Sequence, residues 1–404
     1  MTALPRYKLS TSTDAGASVL EAARLLVPLL EKYAESNEQA GELAPEVVEA
    51  LQQRNLFGYY VPRSHGGLGL NVVESIGVIE AIAYGDGPSA WVMMTSSVAA
   101  GTSLAYLGES AIAELFKGGR VPVMAGMGTP NGRAVPVEGG FRLTGRWNYG
   151  SGIKHADYVH SGAIVFEAGA PRRTTAGTPE IRRFILPREQ VIFEDNWNVM
   201  GLCATGSIDY AIQDVFVPDA YCHIADTQDH GAGNLFRLGI IGLVVAGHSG
   251  FALGVGRRLL DEIAGFACGR TGKPGLLGES ESFHEQYGSF EAKFHAARAF
   301  VMQAWEDVQA TLDAGRDPST RQLTLIRLAL NHITWTASDI AMFAYKSAGG
   351  TALRDGVIQR FFRDMHAGTQ HITSSPAILR DCGKELSGLA EGKVWGFLGL
   401  VDRA

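Results

Sequence analysis

Cysteine is scarce and unpatterned. Four occur in 404 residues (Cys203, Cys222, Cys268, Cys382), with no Cys-x-x-Cys and no metal-holding spacing. That argues for reduced thiols and against a disulfide framework. An excess of positive charge is also missing: Lys+Arg 35 against Asp+Glu 42 leaves a formal charge of −7. A nucleic-acid-binding surface is therefore not expected, nor attraction to an anionic membrane. The longest apolar run, near 239–256, is interrupted by Gly242, Gly247, His248, Ser249, Gly250 and Gly254. Small residues at that density suit close helix packing better than a bilayer span. The opening Met1-Thr2-Ala3-Leu4-Pro5-Arg6-Tyr7-Lys8 has no basic-then-apolar pattern, which predicts a cytoplasmic rather than secreted chain.

Nucleotide fingerprints are absent too. Gly66-Gly67-Leu68-Gly69-Leu70 is not followed by Gly-Lys-Ser/Thr, and Gly254-Val255-Gly256-Arg257-Arg258-Leu259 lacks a third glycine and sits in a helical pattern. With no strand–helix–strand alternation, a doubly wound nucleotide-binding sheet is not expected and no NAD(P)H site is evident.

What is present is an order of elements. Helical periodicity runs from about Ala15 to Lys117, with Leu20, Ala23, Leu25, Leu26, Leu29 and Leu30 at spacings of three and four and Pro45 opening a second helix. Residues 121–220 hold short alternating apolar runs broken by Gly, Pro and Asn, the pattern of an antiparallel sandwich or barrel. After Pro218 the helical period returns in long segments near 234–268, 281–312, 318–348 and 356–387, enough for a bundle. The expected division is an N-terminal α-helical domain (1–120), a middle antiparallel β domain (121–228) and a C-terminal four-helix bundle (229–404).

One stretch stands out, Gly145-Arg146-Trp147-Asn148-Tyr149-Gly150-Ser151-Gly152 running on to Asp157-Tyr158-Val159. Glycines beside Ser151 let the backbone approach a flat ligand closely, and Trp147 and Tyr149 supply aromatic surface next to a small hydroxyl. The same Gly-Ser-Gly also reads as an ordinary hairpin loop.

Three local patterns in order resemble the acyl-CoA dehydrogenase superfamily over nearly the whole chain: Trp147–Gly152 with Ala156-Asp157-Tyr158-Val159; Gly201–Ser207 leading to Asp214-Val215-Phe216-Val217-Pro218; and Gly349-Gly350 followed by Arg360-Phe361-Phe362-Arg363-Asp364. The resemblance implies that Tyr149 takes the family's aromatic position and Ser151 its hydroxyl position near flavin N5. It further implies a tetramer, with Arg270 and Gly349-Gly350 at contacts where a neighbouring subunit meets the flavin.

Departures from the pattern select a branch. Where dehydrogenases of the family commonly carry a glutamate base after the Arg-Asp pair, this chain has Ile372. The loop that usually meets acyl-CoA reads Met127-Gly128-Thr129-Pro130-Asn131-Gly132-Arg133-Ala134, without an acidic residue. Gly145 to Asp157 is more similar to the two-component, reduced-flavin-dependent monooxygenases. That likeness implies reduced FMN or FAD delivered by a separate NAD(P)H:flavin reductase, reaction with O2 to a C4a-hydroperoxide, and oxygen transfer to a small aromatic substrate of phenol or indole type. Nitrogen or sulfur oxygenation, an acyl-CoA dehydrogenase with a relocated base, and a flavin fold serving as a scaffold are the alternatives.

Within this reading Ser151 hydrogen-bonds near N5. His371, one position before the lost glutamate and on the same helix, is the candidate base, since imidazole titrates near neutrality; a packed core histidine is the plainer reading. Asp364, Gly368 and His371 fall on one helix face, so Gly368 clears room for flavin or substrate. Trp91 lines an aromatic pocket or the core. Thr205 and Ser207 bind flavin or shape their turn, Arg363 forms a structural ion pair, and Arg270 meets flavin phosphate or lies exposed in its loop. His366 is structural. His155 and His160 sit on strands with odd spacing and cannot ligate one metal.

Overall fold

The computed structural model describes residues 13–175, 177–224 and 233–402; the expected boundary at 228 lies outside them. Six α-helices come first: α1 Asp14–Arg24, α2 Val27–Ala40, α3 Pro45–Gln53, α4 Val72–Gly85, α5 Gly87–Tyr106 and α6 Glu109–Leu115. Strands follow as β1 Met124–Val137, β2 Gly140–Trp147, β3 Tyr158–Glu167, β4 Ala170–Pro171, β5 Ile181–Pro187, β6 Ile192–Phe193, β7 Tyr210–Pro218 and β8 Cys222–Ile224. Then come α7 Gly239–Cys268, α8 Glu281–Asp313, α9 Thr320–Ala348, α10 Val357–Gly368 and α11 Ala377–Leu386, with a terminal hairpin of β9 Lys393–Trp395 and β10 Leu400–Asp402 that the sequence pattern did not announce.

The β region is one sheet in the order β6-β7-β2-β1-β3-β5-β8. It is not wholly antiparallel as expected: β1 pairs with β3 in parallel, Met124 opposite Tyr158 and Ala125 opposite Val159. The reason lies in the connection. β1 and β2 form a tight hairpin, but residues 148–157 carry the chain from β2 across to the far side of β1, and a strand entered by such a crossover runs parallel to the first. The Gly-Ser-Gly is thus part of a crossover, not a hairpin.

One helical core runs from α1 to α10. The apolar helix α7 is a core element, with 78% of its most apolar window buried. It packs closely because its glycines let it: a Cβ on Gly250 would lie 2.8 Å from Ile79 Cβ, and one on Gly254 2.4 Å from the Glu80 carbonyl oxygen. Arg298, joined to Glu80 by two 2.9 Å hydrogen bonds, ties α8 to α4.

The expected fourth long helix of the bundle, 356–387, is two. α10 stops at Gly368, residues 372–374 form a short 3₁₀ turn and α11 starts at Ala377. Pro376 accounts for the break, because it drives Ser375 to extended φ/ψ (−60°, 131°) and has no N–H to continue a helix. Asn331 and Trp335 on α9 pin the turn by donating to the Ser374 carbonyl at 3.1 and 3.2 Å.

Candidate functional site

Three segments far apart in sequence meet at the N-terminal end of α5. Asp86 caps that helix, accepting from the Ser89 N–H at 2.9 Å and the Ser89 hydroxyl at 2.6 Å, and Pro88 occupies its first turn. One turn on, Trp91 is buried and its Nε1–H donates to Ser151 Oγ at 3.3 Å. Gly152, at φ +75°, lies against the helix: a Cβ there would be 2.6 Å from Val92 Cγ1. Close approach is therefore what Gly152 supplies, but to α5 rather than to a ligand.

The turn at 200–207 completes the polar edge. Gly152 N–H donates to the Thr205 carbonyl at 2.8 Å. Ser151 and Ser207 hydroxyls are 2.7 Å apart, Ser207 and Thr205 hydroxyls 2.7 Å, and Thr205 Oγ1 donates to the Leu202 carbonyl at 2.7 Å. Each hydroxyl has one proton, so the last bond fixes the direction of the others. Thr205 has given its proton to Leu202, so Ser207 donates to Thr205, and Ser151 donates to Ser207. Trp91 donates into Ser151. The chain runs Trp91 to Ser151 to Ser207 to Thr205 to Leu202, and Ser151 keeps one acceptor lone pair for an incoming N–H.

His371 joins the same place from the other side, though not from the helix assumed for it. It lies beyond α10, as the residue before the 3₁₀ turn. The i, i+4, i+7 face drawn through Asp364 and Gly368 ends at Gly368, whose space is occupied: a Cβ there would be 2.6 Å from Phe251 Cε1. Gly368 makes room for Phe251, not for a ligand.

The Trp91 ring meets His371 edge-on with centroids 5.8 Å apart, and meets His248 at 4.7 Å and Phe251 at 5.1 Å in the same way. His248 and His371 are themselves stacked, 3.9 Å between centroids and 29° between planes. Burial lowers both: His371 is pushed down to about 4, and His248 falls well below the ordinary histidine range, with His371 as a smaller second cause. His371 Nδ1 lies 2.7 Å from Thr373 Oγ1 and 3.4 Å from the Thr373 N–H. Both contacts fall on Nδ1, and the Thr373 N–H can only donate, so Nδ1 accepts and the proton of the neutral ring sits on Nε2.

Other expected residues lie elsewhere. Trp147 is fully buried inside the sheet, with Nε1–H donating to the Gly162 carbonyl at 2.8 Å and its ring stacked on Tyr210 at 5.4 Å. Its ring presents no face to a ligand. Tyr149 is 61% exposed, at φ +63°, and meets Trp197 edge-on. Arg270 lies over the Phe266 ring at 3.4 Å. Gly349 and Gly350 follow α9 on the surface with open space around them. Of these, Tyr149 reaches the Trp91 cluster through its backbone, its carbonyl accepting from the Ser151 N–H at 2.8 Å.

His155 is in a 3₁₀ turn rather than on a strand, and its Nε2 accepts from the Leu43 N–H at 3.2 Å. His366 Nδ1 is 2.7 Å from the Phe362 carbonyl. Arg363 pairs with Glu38. Among the described residues no group of three metal-ligating side chains occurs.

His248 and Phe251 are candidate site residues that sequence reasoning missed. A signal existed, because His248 is the sole ionisable residue among Gly239–Gly256, yet it was read only as an interruption of an apolar run.

Comparison with known proteins agrees with this architecture. The models for the acyl-CoA dehydrogenase N-terminal and C-terminal domains match residues 19–116 and 246–376. The chain is 30% identical to an indole-3-acetate monooxygenase of Pseudomonas putida over 351 residues, covering 84% of this chain and 86% of that one. It is 26% identical to the flavin-dependent monooxygenase oxygenase subunit HsaA of Mycobacterium tuberculosis over 383 residues, 89% and 92% of the two chains. XiaF from Streptomyces sp., solved with FADH2 and glycerol, superposes with a TM-score of 0.83 at 22% identity, covering 93% of this chain and 96% of XiaF.

Proposed function

The chain belongs to the flavin-dependent monooxygenases built on the acyl-CoA dehydrogenase fold, and from that premise we infer that it is the oxygenase component of a two-component system that hydroxylates a small phenol- or indole-type ring. Its reduced FMN or FAD comes from a separate NAD(P)H:flavin reductase. The observation that carries this reading is the direction of the hydroxyl chain.

The described residues fit a reduced flavin at one edge. A reduced isoalloxazine carries a hydrogen on N5, and the remaining lone pair on Ser151 accepts such an N–H; an oxidised ring, which has only a lone pair at N5, finds no free donor in the chain that ends at Leu202. When bound, reduced flavin supplies the two electrons by which O2 gives one oxygen atom to the substrate and one to water. Ser151 holds the N5 hydrogen in place, and Ser207 and Thr205 hold Ser151. The exposed ring of Tyr149 is available to a flavin, while Trp147 acts only by supporting the sheet beneath. Arg270, Gly349 and Gly350 are assigned to the flavin of a neighbouring subunit in a tetramer.

On the substrate side, Trp91, Phe251 and the paired imidazoles make an aromatic wall suited to a flat ring. Neutral His371 takes the proton of a phenol or an indole nitrogen and so raises electron density on the ring carbon attacked, a role that requires the other tautomer, with Nδ1–H turned to the Thr373 hydroxyl and Nε2 free. A thioester dehydrogenase would need a carboxylate base here, and the position after His371 holds Ile372, which is 52% exposed.

The test is to mix the protein anaerobically with reduced FMN or FAD, then with oxygen, with and without a panel of phenols and indoles. Delayed return of the oxidised-flavin absorbance, with hydroxylated product when a substrate is present, is expected. Flavin oxidation at the protein-free rate, or bleaching of oxidised flavin by an acyl-CoA, would overturn the reading. Product from thioethers or amines alone would move the substrate class to sulfur or nitrogen oxygenation.

A further inference from the structure

Beneath the hydroxyl chain lies a feature that the oxygenase reading does not use. Leu202, whose carbonyl ends the chain, has left-handed backbone (φ 55°, ψ 30°) although its side chain is buried. A non-glycine residue adopts that conformation at a cost of about 1–3 kcal/mol and keeps it only where its surroundings hold it. Thr205 holds the carbonyl side. On the amide side, Leu202 N–H donates to Asp364 Oδ1 at 2.6 Å. The preceding Gly201 lies flat against α10, where a Cβ would be 2.2 Å from the Arg363 carbonyl oxygen.

Asp364 is buried, and its Oδ2 has no hydrogen-bond partner among the described residues. That oxygen faces the start of α5, within 3.5 Å of where a Cβ on Gly87 would stand. Asp86, the buried cap of α5, likewise has one satisfied oxygen and one, Oδ1, without a partner. Two buried carboxyls thus sit where α5, the 200–207 turn and α10 converge, which are the elements that carry Trp91, Ser207 and the chain leading to His371.

The charged and titratable groups around Asp364 are Asp86 before α5, Glu38 on α2, Arg363 on α10 and Cys203 in the turn; Arg360 on α10 acts on Asp86. Arg363 is engaged by Glu38 and the Met200 carbonyl, so it does not cap Asp364. Burying a lone charge here is costly, whereas a protonated carboxyl is not penalised in that way.

We propose that Asp364 is a positioning residue: as a neutral acid beside Asp86 it holds the strained Leu202 amide and so sets the direction of the hydroxyl chain that presents Ser151 as an acceptor. Burial pushes Asp364 up to about 7, with the Asp86 charge adding to the rise, and burial raises Asp86 as well. A carboxyl whose folded pKa is raised contributes stability that is complete below its unfolded pKa and lost as pH rises through the folded one. For Asp364 that window runs from about 3.8 to about 7. Loss of the proton strengthens the Leu202 N–H bond itself but leaves an unpaired buried charge, which draws water between α5, the turn and α10 and so loosens the packing around the anchor.

The test compares wild type, Asp364→Asn and Asp364→Ala. Asparagine keeps the acceptor for Leu202 N–H but cannot ionise. The difference in urea-unfolding midpoint between Asp364→Asn and wild type should move in favour of the asparagine variant as pH rises through that window, corresponding to a change on the order of a thousandfold in the ratio of their folding equilibria. The subtraction removes the buried histidines, whose linkage has the opposite sign. A difference that stays constant with pH would overturn the proposal.

The second readout rests on the oxygenase reading and uses anaerobic titration with reduced flavin. Wild type should weaken roughly tenfold from pH 6 to pH 8, Asp364→Asn should bind independently of pH, and Asp364→Ala should bind weakly throughout. If the asparagine variant binds as poorly as the alanine variant, neutral Asp364 is not the anchor. If none of the three binds reduced flavin, the functional reading fails, and the unfolding series decides this proposal by itself.

Discussion

Two buried clusters of this molecule are built from the same kinds of residue and do different things. Inside the sheet, Trp147 stacks on Tyr210, with Nε1–H given to the Gly162 carbonyl, while Tyr210 OH meets Ser161, the His160 carbonyl and the Met127 N–H. At the end of α5, Trp91 meets His248, Phe251 and His371, and gives its Nε1–H to Ser151. In the first cluster the polar capacity of the tryptophan and tyrosine is taken up within one sheet. In the second it is directional and incomplete, and it spans four segments. Saturation of polar groups, not the presence of aromatics and hydroxyls, separates a core from a site.

The widest separation between the two clusters is expected from His371→Ala. Reduced-flavin binding should survive while product formation falls about 10²–10⁴-fold, the usual cost of losing a general base. Single-turnover product analysis checks it, and full hydroxylation by the variant would return His371 to the core category. Trp147→Ala should instead lower stability by about 3–5 kcal/mol with no selective effect on coupling among the molecules that fold. Denaturant titration beside a peroxide assay reads both.

Smaller effects sharpen the comparison. Ser207→Ala removes the acceptor for Ser151 and frees its proton, so Ser151 can turn donor; hydrogen peroxide release should rise, with binding of reduced flavin weakened by about 1–3 kcal/mol. Ser161→Ala removes one of several partners of Tyr210 and should leave coupling unchanged. Equal peroxide release from the two variants would erase the distinction.

The smallest effect is in pH. His371, His160 and His223 are each lowered to about 4, burial being the first cause. Histidines lowered in the folded state contribute stability that is present above about 6.5 and lost as pH falls towards 4. For the base, the acid limb of kcat/KM should accordingly lie nearer 4 than 6.5. Replacing His223 with Gln should change the acid stability and not that limb.

Much of the architecture was readable because periodicity is local. Leu20, Ala23, Leu26 and Leu30 declare a helical face, and Phe141, Leu143 and Trp147 declare strand alternation, whatever packs against them. The parallel pairing of β1 with β3 was not readable, because the side of the β1–β2 hairpin to which a connection returns is decided by which strand edge is left to pair rather than by the connection's residues. The site was legible in part: Ser151, Thr205, Ser207, Trp91 and His371 do come together. Trp147 and Gly368 were misjudged because a residue type cannot report whether its space is filled by a ligand or by Phe251.

His248 needed the third dimension as well, since a histidine among apolar residues reads the same way whether it is packed or poised. The sequence by itself determined the helical, β and helical order, the loss of the glutamate at Ile372 and the absence of a nucleotide fingerprint, because each is carried by contiguous residues. Only the tertiary structure decided that the hydroxyl chain runs from Trp91 to Leu202 and rests on Asp364. Its bonds join residues 60 and 162 positions apart, and a proton's direction along such a chain is set by the last acceptor, which no local pattern identifies.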